Sequence, residues 1–448
     1  MNHASSEALA SQRIAWRRWA LFIFLGATYL ASLMIGPRVP DAHTEYFNAI
    51  NIEIAGGFGH SLNTDSPGFM RDAAGPRRLL ASDAMRQGRP GSAALVHVLS
   101  LPFEPMHERL KPSFGWPFRA SRPADASRVG RFQRLVPQYL GFIVFHALTL
   151  AACIAVFFQS PSPPRKGLEA ALFPSFWLAL LIVANDLTKQ FFWSPHTQLL
   201  GLLAALLAVI LPLRLLETDR WVRVFLGGSA LLGVLSLFYG VFVVAAVCSG
   251  LAVLWRQRAH LIRFSRDGIA VIAVAGLGAG LFALPSALWI GTVIAVNGSF
   301  FNYDVEVFRG FVWMADKAPV IGWKGVGAEL IWLISTNAFN GIRHGWHIFL
   351  GLGLAAFLAG RDLDAGRRQR LQRLLTLAGI YAGLLTVFFS LYGLAVIRVS
   401  AGLPIALLPA LALVLDRLHE RSAATAPLTW AAVVAYLAFS SVKFGPYS

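Results

Sequence analysis

Residues 19–36 read WALFIFLGATYLASLMIG, and just beyond them comes Arg38-Val39-Pro40-Asp41-Ala42-His43-Thr44-Glu45-Tyr46. The first run carries no charge and is about long enough to cross a hydrocarbon core as a helix. Arg13, Arg17 and Arg18 precede it. Basic residues beside an apolar run mark the cytoplasmic end, so residues 1–18 are expected in the cytoplasm. No small-residue cleavage site follows the run, so it reads as a retained first helix, not as a removed signal. An acidic, aromatic-flanked sequence therefore emerges on the far side of the membrane. It heads a polar stretch, 37–134, expected to be a periplasmic loop of helices lying partly in the interface.

Working outward, composition says the same of the rest. Only 14% of the 448 residues are charged, well below the quarter usual in soluble chains. The net charge of +16 sits in short clusters between apolar runs. That distribution orients helices in a bilayer and argues against a nucleic-acid partner. Cys153 and Cys248 each lie inside an apolar run, which leaves no disulfide framework and no metal-ligand spacing.

Beyond the loop, apolar runs cover 135–158, 171–184 and 198–213. A longer one, 224–255, has basic residues at both ends: Arg220 and Arg223 before it, Arg256, Arg258, Arg263 and Arg266 after it. A single helix there would be about 48 Å long and would put its basic ends on opposite sides. Two short helices turning at Phe238-Tyr239-Gly240 resolve both problems. The run 269–296 closes a block of helices two to seven, 135–296. Residues 297–346 form a second outer region, with a short interfacial or re-entrant piece at 328–335. Helices eight to eleven then occupy 347–448, with runs at 347–360, 374–396, 403–415 and 427–442. The predicted fold class is an all-α polytopic membrane protein of about eleven transmembrane helices, with one large helical loop after the first.

Chemistry is expected on the outer side. Asp41 stands a few residues past the membrane boundary, and Glu45 follows at helical spacing. If Thr44 caps a helix running through Ile54, both carboxylates stand at its start. A carboxylate tied to a helix end is well placed to take a proton from a substrate hydroxyl, although loop acids are more often merely solvated. Asp186, Lys189 and His196 follow the third run on the same side. Each reads equally well as a cap or an interface anchor. Arg398 lies in a short turn beside Tyr392, where a guanidinium suits a phosphate, or snorkels to the interface. Arg343 and His344 are weaker candidates on the second outer region. The glycines of Gly56-Gly57-Phe58-Gly59-His60 and Gln87-Gly88-Arg89-Pro90-Gly91 read as turns between surface helices, not as a nucleotide loop.

A first helix, a large outer loop opening on an acid, and a many-helix bundle resemble the GT-C superfamily of polyprenyl-phosphate-sugar-dependent glycosyltransferases. The pattern Asp41, Glu45, Tyr46, Ala49, Gly57-Phe58-Gly59-His60 and Gly88-Arg89-Pro90 before an apolar run is similar to that superfamily's loop. The resemblance implies that Asp41 is the catalytic base of an inverting transfer, with Glu45 as a second acid. Ala42 departs from the adjacent acidic pair common in the superfamily. It also implies that Asp186 is a second functional acid, with His196 and His344 near the substrate. Arg398, Tyr392, Lys189 and Arg343 would serve the lipid phosphate of the donor.

The expected function is therefore transfer of a sugar from a polyprenyl-phosphate donor to a glycan or lipid acceptor, on the periplasmic face of a bacterial inner membrane. The sequence makes no cofactor certain; a divalent metal on Asp186 or Glu45 is an option that no ligand spacing supports. An O-antigen polymerase or ligase would carry its large loop late in the chain. A lipid-linked-sugar flippase or secondary transporter would show paired inverted halves and midplane charges, and neither is visible.

Overall fold

The computed structural model describes residues 2–35, 50–55, 58–63, 65–81, 84, 86–110, 118–120, 130, 132–160, 171–262, 266–306, 309–359, 363–394 and 402–442. Helix α1, Asn2–Ser32, covers the opening apolar run as far as residue 32. Its basic end is fixed by Arg18, whose Nη1 donates to Ala171 O at 2.8 Å.

The first loop is not all helical. β1, Ile50–Ala55, pairs antiparallel with β2, Phe58–Ser61, and with β3, Phe118–Ala120, giving a three-stranded sheet in the order β2-β1-β3. The helix expected to run to Ile54 is thus corrected over its second half. The local sequence Ile50-Asn51-Ile52-Glu53-Ile54 alternates β-branched and polar residues, a period of two that suits a strand and not a helix. Three helices follow in the loop: α2, Ser66–Ala74; α3, Pro90–Ser100; and α4, Phe103–Leu110. The apolar run after Gly88-Arg89-Pro90 forms α3. It packs into the protein, because Gly141 lets α5, Val136–Phe157, approach Val96 and Ser100 closely.

The third apolar run is broken into α6, Pro174–Leu178, and α7, Leu180–Val183; Asn185 then caps α8, Asp186–Phe191, by accepting from Thr188 N at 3.0 Å. These pieces are buried on nearly every side, so neighbouring helices supply the shielding that a broken helix needs in a membrane. After α9, Leu200–Glu217, the double-basic run does form two short helices, α10, Trp221–Ser236, and α11, Phe242–Arg256, meeting at 237–241. The short α12, Arg258–Ile262, leads into α13, Arg266–Asn297.

After α14, Tyr303–Glu306, the second outer region departs from expectation. α15, Trp313–Ala359, is continuous except for Gly322, whose φ of 71° folds it into two arms. It runs straight through the boundary expected between 346 and 347. Residues 328–335 belong to this long helix and are not a separate interfacial piece. The chain ends with α16, Ala365–Leu391, α17, Leu408–Arg421, and α18, Thr425–Val442.

Six of these helices are long and apolar enough to cross a membrane, and α10 and α11 are shorter apolar helices. Large apolar side chains face outward along α13 (Ile269, Ile272, Leu288) and α15 (Phe339, Leu350, Phe357), as lipid-facing surfaces require. The chain is a helical membrane protein. Its basic turns meet at one end of the bundle: Arg370 pairs with Glu217 at 2.8 Å, and Arg367 pairs with Glu420 at 2.7 Å.

Small residues set the closest helix contacts, as is usual between membrane helices. A Cβ on Gly233 of α10 would lie 2.5 Å from Phe282 O and 2.9 Å from Leu281 O of α13. Both neighbours are backbone and cannot swing aside. Gly233→Val should separate these helices and cost about 1–3 kcal/mol as overpacking does. The expected result is a lower thermal midpoint in detergent than for Gly227→Val, whose Cβ meets nothing within 4 Å.

Candidate functional site

At the end of the bundle away from the basic turns, loop residues and helix ends surround a cavity of about 420 Å³. Its walls come from five separate stretches, including 65–89, 196–198, 239–241, 302–311 and 388–394.

Asp65 is placed by the turn before α2. Its backbone N–H donates to Asn63 Oδ1 at 2.9 Å, while its carboxylate makes no capping bond to the helix it precedes. That leaves the carboxylate facing the cavity, with half of the side chain exposed (51%). Oδ1 lies 3.5 Å from Arg86 Nη2, and Oδ2 lies 3.7 Å from His196 Nε2. Arg86 also reaches Asp72 at 3.5 Å and stands over the Phe69 ring at 4.2 Å. It can lie against α2 because residue 68 is glycine; a Cβ there would collide with the guanidinium.

Arg89 begins the turn into α3, in the stretch 86–91 that is stitched to the transmembrane part. Gln87 accepts from Trp289 Nε1 at 2.6 Å and from Phe301 N at 2.8 Å, and Gly91 N donates to Leu237 O at 3.0 Å. Arg89 Nη2 meets Asp304 Oδ2 at 3.2 Å, and its guanidinium lies 5.6 Å from the centre of the Tyr239 ring. Aromatic side chains complete this half: Phe311 packs edge-on against Tyr392 at 5.2 Å. The turn that brings Phe311 there holds Arg309 and Phe311 at positive φ, 56° and 64°. Such backbone is costly for side chains of this size and is found where surrounding packing imposes it.

His196 has a determined tautomer. Gln198 N–H donates to its Nδ1 at 3.1 Å, so that nitrogen is unprotonated and Nε2 carries the hydrogen. Nε2–H therefore points its donor at Asp65. The Asp65 carboxyl is held below the usual carboxylate range first by this contact, then by the charges of Arg86 and Arg89, against the opposing effect of burial. Burial pushes the His196 imidazole down and the Asp72 carboxyl up. Asp65 is thus an accessible carboxylate that stays ionised beside two guanidinium groups.

The sign of its linkage to folding follows. A depressed folded pKa contributes stability above the ordinary value of 3.8 and loses it as pH falls further. Wild-type protein should lose more thermal stability than Asp65→Asn between about pH 4 and pH 3, measured by scanning in detergent.

The residues singled out from sequence divide into three groups. Asp41, Glu45 and Arg398 lie outside the described residues. His196 and Tyr392 both line the cavity. Asp186, Lys189 and His344 gather elsewhere, where α1 and α18 meet. There Asp186 pairs with His344 Nδ1, Lys189 Nζ donates to Ser440 O at 2.7 Å, and Tyr29 and Ser440 hydroxyls stand 2.9 Å apart. Arg343 is exposed on α15 beside His344. The residues expected on one outer side thus fall in two places, and Asp186 and His344 are not among those lining the cavity.

Sequence reading missed Asp65, Arg86, Arg89, Asp304 and Tyr239 as site residues. A trace was present: Asn63-Thr64-Asp65-Ser66-Pro67 and Arg89-Pro90 are both helix-start patterns, and a helix start presents unpaired backbone N–H groups to anions. Among the described residues, no group of three or more His, Cys, Asp or Glu is placed to hold a metal ion.

Comparison with protein-family models found no match, and searches of curated proteins and of solved structures found none either.

Proposed function

We propose that this protein is a membrane glycosyltransferase that moves a sugar from a polyprenyl-phosphate donor to a cell-envelope acceptor. The observation that carries the reading is the cavity's combination of an accessible, ionised carboxylate, two guanidinium groups and an aromatic wall. With the basic turns on the cytoplasmic side, as the positive-inside rule has it, the cavity opens on the periplasmic side of a bacterial inner membrane.

The donor tail lies along the apolar helix surfaces, where Ile269 and Leu288 already face outward. Arg89 and Arg86 take the phosphodiester; each guanidinium keeps free N–H donors beyond those shared with its carboxylate partners. The sugar ring rests on the wall made by Tyr239, Tyr392 and Phe311. Asp65 accepts the proton of the acceptor hydroxyl as that oxygen attacks the anomeric carbon. The bond from the anomeric carbon to the phosphate oxygen breaks, and the lipid phosphate leaves with the electron pair. Attack opposite the leaving group inverts the anomeric centre. Positive charge at the departing phosphate is what the protein supplies, in a cavity partly closed to water.

The superfamily resemblance nominates Asp41 for the same proton, so the two carboxylates are rival bases and are tested side by side. The decisive assay uses purified protein in proteoliposomes with a panel of polyprenyl-phosphate sugars. Release of polyprenyl phosphate together with a new glycosidic bond is the expected result. Movement of the intact lipid-linked sugar across the bilayer without bond cleavage would overturn the proposal in favour of a transporter.

A further inference from the structure

His146 stands in α5, fully buried, with both ring nitrogens against backbone carbonyls. Nδ1 lies 2.8 Å from Phe192 O, and Nε2 lies 2.8 Å from His196 O. A neutral imidazole has one N–H and one lone pair. One of these contacts would then set a lone pair against a carbonyl oxygen with no water to intervene, which is repulsive. Only the doubly protonated ring donates to both.

One feature of the surroundings offsets the cost of burying that charge. Phe192 is the C-cap of α8, where helix carbonyls carry partial negative charge. The rings of Phe142 and Phe145 lie 5.9 and 5.7 Å from the imidazole and are tilted to it by 48° and 50°. Burial and the nearby His196 disfavour any charge here; the two carbonyl contacts oppose them.

The two carbonyls belong to one turn, 192–198, which also carries His196. His196 is oriented by the Gln198 N–H and points its own donor at Asp65. We propose that His146 is an imidazolium that positions the turn 192–198, and through His196 sets the orientation and charge of Asp65. The inference rests on the proposed function only where it speaks of activity. His146 is not among the residues that line the cavity and meets that wall through the His196 carbonyl, so it is a positioning residue.

The charged and titratable groups involved are few. His196 faces His146, and Asp65 faces His196, Arg86 and Arg89. Loss of the His146 bridge frees the turn, weakens the contact from His196 to Asp65 and lets the carboxyl rise toward its ordinary range.

Two measurements test this. In 15N-histidine-labelled protein in bilayers, solid-state NMR at pH 7 should show one residue with both ring nitrogens protonated, and His146→Gln should remove that signal. A neutral ring at position 146 overturns the proposal whatever the enzyme does. In the transfer assay, His146→Leu should lower the maximal rate about tenfold and move the acid limb of its pH profile upward by about one unit. His146→Gln, which keeps amide donors, should recover part of both. A fall in rate with an unmoved acid limb in both variants would reduce His146 to a packing role and overturn the positioning claim. Should His146→Leu fail to fold, the wild-type NMR result and His146→Gln decide. An imidazolium signal in a protein that shows no transferase activity would sink the proposed function and leave the protonation assignment standing.

Discussion

Asp65→Asn is expected to lower the rate of sugar transfer by about 10²–10⁴-fold, the usual worth of a positioned general base, while leaving donor binding almost unchanged. The amide keeps the shape of the carboxylate and its place 3.7 Å from His196 Nε2. It cannot take a proton from an attacking hydroxyl. Turnover should be read as release of polyprenyl phosphate, and binding as protection of the cavity by unreacted donor. Full activity in a folded Asp65→Asn protein would remove Asp65 from the mechanism. If Asp41→Asn abolishes transfer and Asp65→Asn does not, the base is the residue nominated by the superfamily resemblance, and the cavity is a binding site alone. Loss in both variants would mean that two carboxylates are needed, one to take the proton and one to hold the acceptor.

Arg89→Ala should lower kcat/KM by about 10²-fold, the scale on which removal of one partner of a partly desolvated charge pair is felt. Two effects add. The donor phosphate loses a guanidinium, and Asp304 is left near the cavity without its 3.2 Å partner. The effect should fall chiefly on donor affinity, and inhibition by free polyprenyl phosphate should weaken in parallel. Arg89→Lys should recover little, because an ammonium lacks the planar fork and the face that lies over Tyr239. A double variant, Arg89→Ala with Asp304→Asn, removes the stranded carboxylate and isolates the phosphate contribution. Unchanged kcat/KM in Arg89→Ala would exclude this guanidinium from donor recognition and shift attention to Arg86 and Arg398.

Packing decided which sequence expectations stood. The hairpin turning at Phe238-Tyr239-Gly240 was legible because charge at both ends and helix length conflict unless the chain turns back. The same reasoning failed at 297–346. Trp323, Lys324 and Glu329 lowered the apparent hydropathy of an arm that is nonetheless part of one long helix, α15. Lys317 and Glu329, on opposite sides of Gly322, satisfy each other across the two arms at 2.5 Å, a pairing no local window can foresee. The strand Ile50–Ala55 was misread for a related reason. Its alternation has the period of a strand but is only a few residues long, and pairing with β3, far along the chain, is what holds it as one.

The candidate site was legible only in pieces. His196 and Tyr392 attracted notice as polar groups beside membrane boundaries, and both stand on the cavity wall. Asp65 and Arg86 did not, because an acid and a base in a long polar loop resemble any solvated pair. Asp186 and His344 were grouped with them by side of the membrane, yet the bundle separates them from the cavity.

By itself the sequence determined that this is a helical membrane protein and which segments are apolar, and it assigned the basic turns to one side, since each of those properties is carried by residues close together in the chain. The tertiary structure alone decided that Arg89 meets Asp304, 215 residues away, that His196 reaches Asp65, and that His146 bridges two carbonyls of one turn. Those contacts depend on helix packing around small residues and on buried polar groups finding partners, which no run of neighbouring residues encodes.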